Sequence, residues 1–391
     1  MLFDTTAEGL PVLPEWEWRL TRKDDFGLGT SLADEIFSGT PVASGLLRFE
    51  GERKATEVRT VVWSCHQPYV TENGRGVLGP YASFILDGYG KLVSEFDPGV
   101  IWGEGDCAYS DGTEATNFSD QVYNHPGWKD APGGRTWVTD AYRRMFRYHW
   151  SLSGLRETMQ KYPHILTWDD HEIHDGWGSE AGDFTDDNVA MFSIARTVAD
   201  EYLFQSGPRV RLAGDAHQAC MVGPQAAFLF DPRTSRRYSN PGGRIVSDVQ
   251  LDDFARFCED VAAAPSVRFL MLGTTVPFLY IKDFWESLGA RAPKALTDAA
   301  GGVRDDLRDS WSSVGNRAAL EQVLDIVQDL MRRRPSLQVV NISGDGHVSN
   351  AFRIWPLGFP RPIYQVTTSA LTNREHLSDL GAQIMSLDTV R

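Results

Sequence analysis

Four short apolar runs in this chain stop abruptly at acids, histidines or a cysteine. Val61-Val62-Trp63-Ser64 leads to Cys65, and Ile101-Trp102-Gly103-Glu104-Gly105 leads to Asp106. Ile165-Leu166-Thr167-Trp168 leads to Asp169-Asp170-His171-Glu172, and Val339-Val340-Asn341-Ile342-Ser343-Gly344 leads to Asp345 and His347. Runs this short, β-rich and continuously apolar suit strands buried on both faces. The fuller set of such runs is Val58–Trp63, Val100–Trp102, Ile165–Trp168, Ala226–Phe230, Val267–Leu272 and Leu337–Ile342. Between several of them lie helical patterns at Trp137–Lys161, Asp187–Gln205, Ser247–Ala263 and Arg317–Arg334. Strands alternating with helices predict an α/β architecture. In such sheets, ligands gather outside the carboxyl ends of the strands. The four polar run-ends are therefore expected to converge.

The chain's 391 residues suffice for one large domain or two ordinary ones, and 42% hydrophobic residues provide for a sizeable core. The net charge of −15 argues against sequence-independent nucleic-acid binding. An acidic protein acts on an anionic substrate only where bound cations invert the field locally. Cys65, Cys107, Cys220 and Cys258 are too few and too irregularly spaced for a disulfide scaffold or a zinc ribbon. Met1 to Leu10 carries Asp4 and Glu8 and shows neither a basic-then-apolar leader nor twin arginines. With no run approaching the length of a membrane span, this predicts a cytoplasmic protein. Residues 1–55, where Trp16 to Leu20 alternate in polarity, read as a small β-rich N-terminal extension, and residues 56–391 as the main domain. Asp120–Arg135 and Gly289–Gly302 read as long surface loops, and the aromatic stretches Tyr123–Trp137 and Phe278–Trp285 as candidate walls of an apolar pocket.

The side chains at the run-ends carry the chemistry. Asp169-Asp170-His171-Glu172 lies between apolar Trp168 and Ile173, and four consecutive ionisable groups make poor core material unless they bind something. In Gly105-Asp106-Cys107-Ala108-Tyr109, a strand-end Gly-Asp alone reads as a turn. The Asp-x-x-Tyr spacing, however, puts a carboxylate and a phenol within reach of one cation, and phenolate suits a hard, oxidised metal such as Fe(III). Asp345 and His347 can face two adjacent metals, or one metal and a substrate. Gly214-Asp215-Ala216-His217 is a near copy, but it follows the alternately charged Arg209-Val210-Arg211-Leu212 and reads as an edge-segment decoy. Cys65 alone would be a small buried hydrophobe; its strand-end position makes it a candidate ligand. Arg233 and Arg236, beside Asp231, are candidates for phosphate oxygens or members of a surface basic turn. His149 reads as structural, His164 has no assigned role, and Arg332-Arg333-Arg334 reads as a solvated helix end.

These motifs, in this order from about Val58 to Leu371, resemble the alkaline phosphatase D (PhoD-like) family of calcineurin-like metallophosphoesterases. Asp231-x-Arg233, Asp309-Ser310-Trp311 with Arg317, and Thr368-Ser369-Ala370 add weaker likeness. The family usually shows Ser-Cys-Gln where this chain has His66 between Cys65 and Gln67. The resemblance implies a central β-sandwich flanked by helices on both faces, the four-layer metallophosphoesterase-like fold. It also implies a binuclear site, iron with calcium in relatives, or with Zn, Mn or Mg as the divalent ion. By likeness to purple acid phosphatases, Asp106 would bridge the metals. Cys65, Tyr109 and His347 would complete the Fe(III) side, and Asp170 with Asp345 the divalent side. His171 would protonate the leaving group or steady the phosphate, with Asp169 its supporting partner or itself a ligand, and Glu172 supporting the ligands. The implied function is in-line attack of a two-metal-activated hydroxide on a phosphoester, as a phosphodiesterase or phosphomonoesterase. Its substrate would be a small molecule, a lipid or a polymer. The competing readings are a specialised lipid or polymer diesterase and a non-catalytic, metal-stabilised scaffold.

Overall fold

A computed structural model describes residues 15–21, 41–48, 58–72, 75–111, 118–204, 214–237, 243–279, 310–347 and 349–372. Near the start, β1 (Glu15–Thr21) pairs antiparallel with β2 (Pro41–Arg48), Glu15 opposite Arg48. β3 (Thr60–Trp63) precedes a small hairpin of β4 (Tyr69–Glu72) and β5 (Arg75–Leu78). β3, β6 (Val100–Gly103) and β7 (His164–Leu166) form a parallel sheet in the order β3-β6-β7. A second sheet has six strands: β8 (Gln218–Val222), β9 (Gln225–Leu229), β10 (Phe269–Gly273), β11 (Gln338–Ser343), β12 (Asn350–Ile354) and β13 (Ile363–Thr367). Its order is β12-β13-β11-β10-β9-β8. The four inner strands run parallel, and the two edge strands run antiparallel to their neighbours.

Period-two alternation explains the layering, because successive side chains of a strand point to opposite faces. Val100 and Trp102 of β6 pack with Ile165, Ala227, Leu229, Met271 and Ile342, so the two sheets share one interior. The intervening Ile101 and Leu166 face the other way. There they join the apolar stripes of α1 (Ala82–Phe96), α3 (Gly134–Trp150), α4 (Ser153–Lys161) and α5 (Asp186–Tyr202). On the far side, Ala226, Phe228, Leu270, Leu272 and Val339 meet α6 (Asp248–Ala263) and α7 (Arg317–Arg333). The result is helices, three-stranded sheet, six-stranded sheet, helices: the four layers the resemblance implied. Helix periodicity does the matching work, as in α7, whose buried Ala319, Leu320, Val323, Val327, Leu330 and Met331 recur every third or fourth residue. Each large apolar side chain so buried contributes about 1.5–3 kcal/mol.

Several local expectations change. The pattern over Trp137–Lys161 is two helices, because α3 closes at Ser151 and Leu152 is extended with ψ 136°. The break lets α4 cross α1 at backbone contact, where a Cβ on Gly154 would collide with the Leu86 carbonyl. Asp120–Arg135 is not a loop: it holds most of α2 (Ser119–Tyr123) and a 3-10 turn at Trp128–Asp130. Asp187 ties that turn down, accepting Gly127 N at 2.7 Å and pairing with Lys129 at 3.2 Å. Arg334 is not merely solvated; it donates to the carbonyls of Val261, Ala264 and Val267 and so satisfies the end of α6. Gly289–Gly302 and most of Phe278–Trp285 lie outside the described residues. Among the described residues, no helix is long and apolar enough to cross a membrane.

Candidate metal centre

The carboxyl ends of β3, β6, β7 and β11 open on one rim, and backbone contacts tie their loops together. His66 N donates to Asp106 O at 2.8 Å, Thr167 N to Gly103 O at 2.8 Å, and Gly344 N to Thr275 O at 2.5 Å. Ser64 bridges to Ala370 beyond β13. Non-glycine residues seldom adopt positive φ, yet Cys65 (53°), Asp106 (51°), Thr275 (47°), Asp345 (63°) and His347 (50°) all do so here. Elsewhere among the described residues only Asp97, closing α1, shares that conformation. Such backbone costs on the order of 1–3 kcal/mol per residue and persists where surrounding structure imposes it, commonly at functional sites.

These turns bring the ligand-type atoms together. Three groups have donor atoms mutually within 4.8 Å: Cys65, Asp106 and His347; Asp106, Asp170 and His171; and Asp106, Asp169, Asp170 and Asp345. Asp106 belongs to all three. Its Oδ2 lies 3.5 Å from Cys65 Sγ and accepts from Tyr109 Oη at 3.2 Å, while its buried Oδ1 has no hydrogen-bond partner. Tyr109 Oη also lies 3.3 Å from His347 Nε2. Sulfur, phenol and the His347 imidazole thus gather with Asp106 in one group, and His171 with the other carboxylates in the rest. Cys65, Asp106, Tyr109, Asp170 and His347 are buried, and Asp345 is half-buried.

The electrostatics identify what the arrangement lacks. Burial pushes the Asp106 carboxyl well above the usual carboxylate range; Asp170 and Asp169 add to the rise, against His171 and Arg233. The Cys65 thiol is likewise pushed up by burial, then by Asp106 and Asp345. Asp170 stays low despite burial, because Arg233, His171 and the Gly176 amide stabilise its charge. So many acids in one buried space are stable as anions only with added positive charge, which bound cations provide. The donors present, a thiol and a phenol that metal binding would deprotonate, imidazole and carboxylates around a partnerless Asp106 oxygen, fit metal ions.

Neighbouring groups hold the ligands in place. Glu172 links two of the loops, accepting Ala108 N at 3.1 Å and Asp169 N at 2.7 Å. His171 stacks on Tyr109 with centroids 4.0 Å apart, and its Nδ1 meets Asp111 Oδ1 at 2.8 Å. Burial alone would lower its pKa, but Asp111, Asp170 and Asp106 raise it well above the ordinary value. His149 is buried and neutral, its pKa lowered to about 4 by burial, and its Nε2 accepts the Tyr109 amide at 3.3 Å. Sequence reasoning missed Asp111, although it is the next acid after Tyr109.

The sequence leaves Arg233 and Arg236 between phosphate contacts and a surface basic turn, and the structure buries both. Arg233 is fully buried rather than in a surface turn, with Nε on Asp169 Oδ1, Nη2 on Asp170 Oδ1 at 3.2 Å, and Nη1 on the Trp177 carbonyl at 3.0 Å. Arg236 is buried with its stem against Gly178. Asp215 and His217 belong to a separate network: Asp215 accepts from Ser235 and Ser247, and His217 Nε2 meets Asp253 at 3.0 Å.

Comparison with known proteins gives a family and likenesses of fold. The PhoD-like phosphatase family profile matches residues 62–383. A solved structure of PhoD superposes with a TM-score of 0.54 at 14% identity, covering 86% of this chain and 61% of its own. The chain therefore spans 61% of that protein's length, and the likeness is one of fold. A dimetal phosphatase from Danio rerio is similar at 9% identity and TM-score 0.44, over 82% of this chain and 89% of its own. A 5'-nucleotidase from Candida albicans follows at 10% identity and TM-score 0.34, over 81% and 46%. No curated protein matches the sequence.

Proposed function

This chain belongs to the PhoD-like phosphatase family, and we propose that it hydrolyses phosphoric esters with a pair of bound cations. The observation that carries the proposal is the convergence on Asp106: a single buried carboxylate common to three clusters of ligand atoms drawn from four strand ends. Asp106 would be a ligand common to both ions, Cys65, Tyr109 and His347 would hold an Fe(III) ion, and Asp170 with Asp345 a divalent ion, Ca, Zn, Mn or Mg. When bound, the cations supply an activated water and neutralise charge on attacking and leaving oxygens during an in-line displacement.

The chain's own groups do the rest. Asp111 anchors His171 at Nδ1, which leaves Nε2 to carry a proton to the leaving-group oxygen. All three nitrogens of Arg233 have acceptors within the protein, so we assign it to ordering Asp169 and Asp170. Arg236 is retained as a candidate contact for phosphate oxygens. Glu172 holds the Asp106 loop to the Asp169 loop through two amides. The substrate is a phosphomonoester or phosphodiester of a small molecule, lipid or polymer, attacked without a covalent intermediate.

The test is a visible spectrum and elemental analysis on protein purified without chelator, beside turnover of nitrophenyl mono- and diesters. A ferric phenolate gives a coloured charge-transfer band, which is expected in the wild type and absent in Tyr109→Phe. Colourless, metal-free protein that still turns over both esters contradicts the assignment.

A further inference from the structure

Glu104 takes no part in the assignment above, yet it sits where the ligand-bearing turns meet. It is fully buried, neither carboxyl oxygen has a hydrogen-bond partner, and none of the metal-capable clusters among the described residues includes it. A buried carboxyl without partners is expensive, so a fold that keeps one has a reason to.

Its surroundings suggest the reason. Glu104 lies two residues beyond Trp102, whose ring fills the inter-sheet interior, and its amide still donates to Trp63 O at 2.9 Å. The carboxyl therefore enters the gap between the two sheets at their metal end. There it meets Gly273, the last residue of β10, where an added Cβ would lie 2.7 Å from Oε1 and 3.0 Å from Oε2. At Gly344, an added Cβ would lie 2.7 Å from the Glu104 carbonyl oxygen. Gly273 thus leaves room for the Glu104 carboxyl, and Gly344 for the Ser64 side chain and the Glu104 backbone. Burial pushes the Glu104 carboxyl up to about 8, and the Thr275 backbone amide beside it, short of a hydrogen bond, opposes the rise. Thr275 is β-branched and left-handed, and its carbonyl accepts Gly344 N at 2.5 Å. Asp345 and His347 follow directly.

We propose that Glu104 is a positioning residue. Wedged against Gly273, its carboxyl holds Thr275 in its left-handed turn, and Thr275 in turn fixes the Gly344–His347 segment that presents two ligands. This inference rests on the metal-centre reading and extends it to a residue outside the ligand set.

The experiment titrates chelator-stripped protein with Mn²⁺, followed by electron paramagnetic resonance, alongside thermal unfolding of the same samples. Glu104→Leu replaces the carboxyl by an apolar group of similar size. Were Glu104 idle, that change would leave Mn²⁺ binding intact and raise stability by removing an unpaired buried acid. We expect unchanged or higher thermal stability with Mn²⁺ binding weakened about tenfold or more. Glu104→Gln, which keeps the planar group and an acceptor, should bind within about threefold of wild type. Wild-type binding in Glu104→Leu, or binding in Glu104→Gln as weak as in Glu104→Leu, overturns the proposal. Should Glu104→Leu not fold, Gly273→Ala displaces the carboxyl instead; weakened binding supports the proposal and unchanged binding overturns it. A wild-type protein that takes up no Mn²⁺ removes the metal-centre reading, and this inference with it.

Discussion

Gly344-Asp345-Gly346-His347 and Gly214-Asp215-Ala216-His217 spell nearly the same motif, and the fold uses them for different ends. β8 runs antiparallel to β9, with Gln218 opposite Leu229, so the Gly214 segment enters the sheet at the same rim that the Gly344 segment leaves by. Strand position separates them. β11 is an inner strand whose end lies against Ser64 and Glu104 of the smaller sheet, whereas β8 is an outer edge. Asp345 and His347 there take left-handed backbone and meet Asp106, Cys65 and Tyr109. Asp215 instead fills its oxygens with Ser235 and Ser247, and His217 pairs with Asp253 over the face of Phe228. Nearly the same four letters make a candidate ligand turn in one place and a structural cap in the other. What decides is the company each keeps, which a motif does not record.

The comparison breaks most visibly in catalysis. Asp345→Asn or His347→Ala should lower kcat by about a thousandfold or more with loss of bound metal, since each removes a proposed ligand. Asp215→Asn and His217→Ala should stay within about threefold of wild type; a steady-state assay with metal analysis on folded protein checks both arms. Next in size, Glu172→Gln should cost about 10–100-fold in activity or metal affinity, the usual scale for groups that orient ligands. Chelation gives a stability readout: at a hundredfold excess over Kd, bound metal contributes about 2.7 kcal/mol, which stripping should remove. That loss should persist in Asp215→Asn and vanish in Asp345→Asn by calorimetry.

The smallest effect concerns pH. Burial lowers the His217 pKa, with Asp253 opposing. Below the unfolded value of about 6.5, the unfolded chain then binds more protons than the folded one, so stability falls as pH falls. His217→Gln should shrink the drop in melting temperature between about pH 7 and pH 5. An unchanged drop would place the acid sensitivity elsewhere.

Much of this was legible in the sequence, for identifiable reasons. β6 and β7 are buried on both faces and β11 along its second half, so their runs are mostly apolar and their polar ends stand out. Asp169-Asp170-His171-Glu172 announced itself because charge next to Trp168 has no cheap burial. By contrast, α1 was not read, since Gly88 and Gly90 interrupt its pattern. The break between α3 and α4 has no proline or glycine at Ser151-Leu152 to mark it. Asp111 on His171 and Arg233 on Asp169 are contacts across 60 and 64 residues of sequence. Local pattern carries no trace of such pairs, and only tertiary packing turned a basic turn into a buried fork beneath the acids.

The most direct test counts metal ions per chain in wild type and in Asp106→Asn, with ester turnover measured on the same samples. A shared bridging carboxylate predicts two ions in the wild type, one or none in the variant, and turnover reduced by about a thousandfold or more. An Asp106→Asn protein that keeps both ions and full turnover, or a fully active wild type without metal, would contradict it.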